Sequence, residues 1–253
     1  MIVSLETVPR SREAILAGAA ALAEFPAITR VNIPDLLRFS IRSWEACGIL
    51  AETLGKDSPA LMPHLRACDF DLAAPFPHRD YFRFLGIDQA LVIAGDPPGP
   101  AGPGPGRRVY PTETVPFIKK LKAELPELKV YAAFDPYRTN IRYELDHLAA
   151  KEEAGAEGFF SQPFFDLRLL EIYAEYLGGK EVFWGVSPVI SASSRNYWES
   201  RNRAIFPKSF RADLYWNVDF GRRVLDFCET HGFNLYLMPI KVDLGAYLPG
   251  LLG

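Results

Sequence analysis

Cysteine is scarce: Cys47, Cys68 and Cys228 are odd in number and form no CxxC pair. That excludes a disulfide framework and a zinc ribbon and leaves three expected core thiols. An excess of one charge is missing too, since 28 Lys and Arg against 31 Asp and Glu give a formal net charge of -3. No basic stripe is present to neutralise phosphates, so nucleic acid is excluded as a partner. No apolar run approaches the length of a membrane span, which argues against a membrane partner. Met1 leads straight into a short apolar run that reaches Glu6 without a basic segment, so a cytoplasmic location is expected. Histidine ligand pairs are also lacking. His64, His78, His147 and His231 form no HxxxH or HxH pair, there is no GxSxG elbow, and no metal site is expected.

What is present is the balance of a chain that buries a core, with 49% hydrophobic and 23% charged residues. Its 253 residues fit one eight-stranded β/α barrel, so a single domain over 1–253 is expected. Apolar, β-branched runs alternate with helical periodicity along the whole chain. Strands are predicted at 2–8, 29–33, 61–68, 90–95, 129–134, 158–165, 182–189 and 234–240. Helical segments lie between them, including 141–155, 167–177 and 214–232. Eight short strands separated by amphipathic helices predict a closed parallel β/α (TIM) barrel rather than an open doubly wound sheet. Ile141, Leu145, Leu148 and Ala149 share one predicted helix face, and Leu214, Val218, Gly221, Leu225 and Cys228 share another. The Gly/Pro-rich stretch 95–106 admits neither helix nor strand and is predicted to be a loop after the fourth strand. Its GxG has no strand-to-helix setting, and its prolines remove amide donors, so it is not read as a phosphate cradle.

Barrel active sites are built at the carboxyl ends of the strands, which singles out certain polar residues. Glu6 sits inside an apolar first strand and must point into the barrel mouth or be paired. Asp96 ends the fourth strand before two prolines, either as a turn residue or as a site residue. Gln162 lies among aromatics in 159–166, where a buried amide needs several partners. His64 follows Pro63 in the third strand and, by itself, reads as a core histidine bonded to a backbone carbonyl.

In order and spacing these residues resemble the methylenetetrahydrofolate reductase family. Ser4-Leu5-Glu6-Thr7-Val8-Pro9 resembles its F-E-F-F-P strand, Met62-Pro63-His64-Leu65 its P-H-L strand, and Ala94-Gly95-Asp96-Pro97-Pro98 its R-G-D-P-P strand end. The segment 151–166 is similar to its K-x-x-A-G-A-x-x-x-x-T-Q-x-F-F-D. The resemblance implies an oxidoreductase of one-carbon metabolism that passes hydride from NADH or NADPH through FAD to methylenetetrahydrofolate. Its partners would be a tetrahydrofolate derivative and a nicotinamide nucleotide, and homo-oligomerisation is left open. Glu6 would be the general acid, with Asp96 and Gln162 on the pterin and Lys241 on the folate glutamate. His64, Ala94, Gly95, Asp96, Phe134, Arg138, His147 and Lys151 would line the flavin. Ala94, Ala150 and Ala192 depart from the family pattern at flavin contacts, and Arg42 or Arg138 is the expected substitute. The alternative is a folate-binding or methyl-transfer subunit of a larger complex, with flavin binding reduced or lost. A barrel lyase using Glu6 as base is a third reading.

Overall fold

The computed structural model describes residues 1–55, 58–95 and 108–253. Its eight strands are β1 (Val3–Glu6), β2 (Ile28–Ile33), β3 (Ala60–Arg66), β4 (Gln89–Ile93), β5 (Lys129–Phe134), β6 (Gly158–Pro163), β7 (Glu181–Val186) and β8 (Asn234–Leu237). They pair in sequence order, all in parallel, and β8 closes on β1. The helices are α1 (Arg12–Ala23), α2 (Ser43–Leu54), α3 (Arg79–Leu85), α4 (Thr114–Glu124), α5 (Ile141–Glu153), α6 (Leu167–Leu177), α7 (Ala192–Asn202), α8 (Leu214–His231) and α9 (Leu244–Leu252). The predicted TIM barrel is therefore what the chain forms. Sequence patterning did not anticipate α9, and the predicted strand ends at 187–189 and 238–240 are loop.

Local chemistry starts and stops the helices. Ser11, Asn140, Asp166, Ser191, Asp213 and Asp243 each cap a helix by accepting a bond from a backbone N–H in its first turn. Gly232 ends α8 at φ 72°, the left-handed conformation that turns the chain directly into β8.

Alternation within each strand sends one set of side chains outward to the helices and the other into the barrel. The outward set, including Leu5, Val31, Leu65, Val92, Phe159, Trp184 and Leu237, forms the main core with the inner helix faces. The inward set forms a second cluster of Met62, Leu91, Tyr131, Phe160, Phe183, Tyr236 and Met238. Strand tilt staggers the register and groups inward residues from alternate strands into layers of four. One layer is Ser4, Met62, Tyr131 and Phe183; above it lie Asn32, Leu91, Phe160 and Tyr236. The next layer toward the strand C-termini is Glu6, His64, Ala133 and Gly185. Two of its four corners are Ala133 and Gly185, and Met238 covers the second, its Cε 2.6 Å from where a Cβ on Gly185 would stand.

The predicted helix faces hold in part: Ile141, Leu145 and Leu148 on α5 and Leu214, Leu225 and Cys228 on α8 pack on the core. On α5 the buried residues are Glu144, Leu148 and Lys151, while Ala149 is exposed, because one residue turns the helix by about 100°. On α8 the buried residues are Asn217, Phe220, Gly221, Val224 and Cys228. Val218 and Gly221 meet α9, through Gly250 and Leu251. A helix covered on two sides shows two apolar stripes, and the sequence alone does not say which one meets the sheet.

Candidate active site in the barrel mouth

Glu6 is the last residue of β1, and its carboxyl is enclosed by the barrel. Tyr236, one layer below on β8, donates its hydroxyl hydrogen to Glu6 Oε2. Burial raises the Glu6 carboxyl from 4.5 to about 7, and the Tyr236 bond offsets part of that rise by favouring the carboxylate. Near neutral pH the group divides between its protonated and ionised forms, as a proton-exchanging residue requires. Burial and the neighbouring Glu6 carboxylate in turn push the Tyr236 phenol well up, so it stays a donor.

His64 occupies the same layer on β3. Its Nε2 lies 3.2 Å from Asn32 Oδ1, and Asn32 Nδ2 donates to Ser4 Oγ at 2.5 Å. Because the Asn32 amide nitrogen is spent on Ser4, its oxygen accepts from His64 Nε2–H, which leaves Nδ1 as the unprotonated nitrogen. Burial lowers His64 to about 3, so it is a neutral hydrogen-bonding group and no cation at physiological pH.

Two residues further along β3, on the same face, Arg66 reaches the rim with 2% exposure. A chain of alternating charges runs outward from it. Arg66 Nε is 3.5 Å from Asp69 Oδ2, which accepts from Arg42 Nη2 at 2.6 Å. Arg42 also donates to Asp35 through Nε and Nη2, at 2.5 to 3.0 Å. Burial raises the Asp35 carboxyl while the Arg42 bonds pull it down, and Arg42 lies over the Trp44 ring at 4.5 Å. Opposite, directly after β7, the buried Ser187 Oγ has no hydrogen-bond partner among the described residues. Alternation from Phe183 and Gly185 turns it to the inner side of the mouth.

The sequence-predicted residues separate into two groups. Glu6 and His64 meet in one layer. Gly95 lies against Arg66 at φ 84°, where an added Cβ would stand 2.5 Å from Cys68 Sγ and 3.2 Å from Arg66 Cβ. Cys68 is therefore half-buried beside an arginine at the rim, whereas Cys47 and Cys228 are buried thiols. Gln162 sits where the β6–β7 register shifts between Phe160 and Pro163, with Ser161 Oγ accepting from Gly185 N at 2.7 Å in place of the regular ladder. Asp96 and 97–106 of the Gly/Pro loop lie outside the described residues.

The remaining predicted residues are elsewhere. Phe134 faces outward, packed on Tyr173 and Trp184 at centroid distances of 5.7 and 6.0 Å. Lys151, on α5, donates to Ala133 O at 2.7 Å from the helix side, and burial lowers it to about 8. His147 is 3.5 Å from Thr114 Oγ1 between α5 and α4. Ala94 and Lys241 are exposed, and Arg138 is an exposed loop residue 3.7 Å from Asp135. Arg42, expected as a substitute phosphate partner, is committed to Asp35 and Asp69. Sequence reading missed Tyr236, Asn32, Arg66 and Ser187. The signal for Arg66 was its position two residues after an inward His64; Tyr236 and Asn32 needed the register.

Among the described residues no three His, Cys, Asp or Glu side chains converge as metal ligands, and no helix is long and apolar enough to cross a membrane. Among the described residues two clefts open, neither lined by Glu6 or His64. One, of about 290 Å³, is lined by residues such as Phe165, Arg168, Trp216 and Arg223. The other, of about 150 Å³, is lined by residues such as Asp69, Phe76 and Lys120.

No protein-family model and no curated protein matches the chain. Among solved structures it is similar to 2,3-dimethylmalate lyase, a PEP mutase/isocitrate lyase superfamily member, at 11% identity and a TM-score of 0.59, covering 98% of this chain and 77% of that one. It is likewise similar to oxaloacetate acetylhydrolase in complex with 3,3-difluorooxalacetate, at 11% identity and a TM-score of 0.61, covering 98% and 78%. At that identity the likeness speaks for the fold. These findings overturn the expected folate reductase: the similar structures are lyase-type barrels, and no family model supports the motif resemblance. FAD, NADH or NADPH and folate fall with it, as does the flavoprotein of one-carbon metabolism. Phe134 packs on Trp184, His147 lies by Thr114 on α4, and Lys151 bonds Ala133 O from the helix side.

Proposed function

We propose that the chain is a lyase-type enzyme that makes or breaks a carbon–carbon bond in a small carboxylate at the barrel mouth. Glu6 exchanges the proton. The observation that carries this reading is the layer Glu6, His64, Ala133 and Gly185. It sets a carboxyl raised to about 7 in one layer with a neutral imidazole at the carboxyl ends of the strands. In the cleavage direction the Glu6 carboxylate accepts a hydroxyl proton as that oxygen becomes a carbonyl. The carbon–carbon bond breaks, and its electrons leave on the carbon next to the second carboxylate, where a proton completes the product. His64 Nδ1 accepts a hydrogen bond from the substrate, and Tyr236 holds the Glu6 carboxylate in place. The likeness in fold to 2,3-dimethylmalate lyase and oxaloacetate acetylhydrolase supports this class of chemistry over hydride transfer.

The test is a panel that starts with 2,3-dimethylmalate and oxaloacetate and extends to other small hydroxy and oxo dicarboxylates. Purified chain is followed by proton NMR with and without added divalent cation. Turnover of at least one member is expected, falling about 100-fold or more in Glu6→Gln. Equal turnover in that variant, or none across the panel, rejects the reading.

A further inference from the structure

Met238 is the next side chain after Tyr236 on the inner side of the chain leaving β8, by the alternation that also turns Tyr236 inward. Since the Tyr236 hydroxyl holds the Glu6 carboxyl, Met238 stands one step outward from that bond on the same line of the barrel wall. Its backbone continues the ladder, with Met238 N–H donating to Val186 O at 2.9 Å. Its side chain is buried with Phe160, Phe183 and Tyr236 and lies across the Gly185 corner, where Cε would be 2.6 Å from an added Cβ. That Cβ would also stand 2.7 Å from Ser161 O, so the backbone requires glycine here and the space glycine leaves is taken by a thioether. Gly185 shares its layer with Glu6 and His64, which makes Met238 an apolar neighbour of both polar groups. An unbranched, flexible thioether is suited to filling such an irregular gap.

We infer that Met238 sets the size of the substrate: it takes the room at the Gly185 corner that a methyl branch would need, and so matches the mouth to an unbranched dicarboxylate. The inference rests on the reading of the mouth as a carbon–carbon lyase site and adds which member of that class the chain takes. Met238 supplies neither proton nor charge and acts by shape. Malate and 2,3-dimethylmalate separate shape from chemistry, because they differ by two methyl groups while the same bond breaks in each. The hydroxyl loses its proton as its carbon becomes a carbonyl, the C2–C3 bond breaks, and C3 keeps the electron pair and takes up a proton. Malate yields glyoxylate and acetate, and 2,3-dimethylmalate yields pyruvate and propionate. One methylene more or less in an apolar pocket changes kcat/KM by about 10–200-fold.

The experiment measures kcat/KM of the full chain on both acids by proton NMR and compares their ratio. The natural chain is expected to favour malate at least tenfold. Met238→Ala is expected to shift the ratio at least tenfold toward 2,3-dimethylmalate. Met238→Val, which keeps more of the packing, should shift it in the same direction, with circular dichroism confirming that each variant is folded. Leu248→Ala, in the outer core on α9, should leave the ratio unchanged, so that lost stability does not imitate the result. The inference alone is overturned if both Met238 variants leave the ratio within twofold of the natural chain, or if the natural chain prefers 2,3-dimethylmalate. It is overturned likewise if neither acid reacts while another member of the panel does. If no member of the panel reacts with the natural chain or with Met238→Ala, the lyase reading fails and the inference falls with it.

Discussion

Glu6 should make the stability of this fold depend on pH in a way one substitution isolates. Unfolded, its carboxyl ionises near 4.5; folded, burial holds it to about 7. Below pH 4.5 both states carry the proton and Glu6 adds no pH dependence. Between the two values the unfolded chain has lost the proton while the folded chain keeps it, so each pH unit costs the folded state about 1.4 kcal/mol. The stabilisation is complete below 4.5 and lost as pH rises through 7, with a total of about 3 kcal/mol. His64 and His78 run the other way. Burial pushes them down to about 3 and about 4, so their contributions are present above pH 6.5 and lost as pH falls. The absolute stability curve mixes these opposing slopes, and the difference between the natural chain and Glu6→Gln removes the histidines. Urea unfolding followed by tryptophan fluorescence from pH 4 to 8.5 should show that difference constant at the acid end. It should then shift against the natural chain by about 3 kcal/mol by pH 8. A difference that stays flat across the range would refute the enclosed, proton-holding Glu6 on which the site depends.

Tyr236→Phe removes the bond that favours the Glu6 carboxylate, so the carboxyl should titrate above 7. The same difference experiment should then show the transition displaced to higher pH, and an unmoved transition would mean the phenol does not act on Glu6. Lys151→Met deletes a charged donor to Ala133 O on the helix side of β5. It should cost about 1–3 kcal/mol in urea unfolding without changing the turnover of a panel substrate. Lost turnover with unchanged stability would place Lys151 in the mouth after all.

How far the sequence reaches is visible in single residues. Glu6 and His64 were recognisable because a carboxylate or an imidazole inside an apolar strand is costly unless it faces a cavity or a partner. The resemblance by short motifs then failed where motif order substitutes for orientation. Phe134 and Lys151 fall at the expected spacing, yet side-chain alternation and the face of α5 turn them into the helix layer. Gln162 shows a second limit. An irregularity in the β6–β7 register changes which side chain meets which neighbour, and no local pattern announced it.

Periodicity by itself determined the barrel. Alternating strands and amphipathic helices repeat eight times, and short parallel strands in that order bury their apolar faces well by closing on themselves. The burial alternation inside each strand was fixed locally for the same reason. Only the tertiary structure decided which strands stand at the same height. It brought Glu6 and Tyr236 together across 230 positions of sequence, joined His64 to Ser4 through Asn32, and shared Asp69 between Arg42 and Arg66. Those relations follow from register and barrel stagger, which are set by long-range pairing and so leave no mark in the neighbourhood of any one residue.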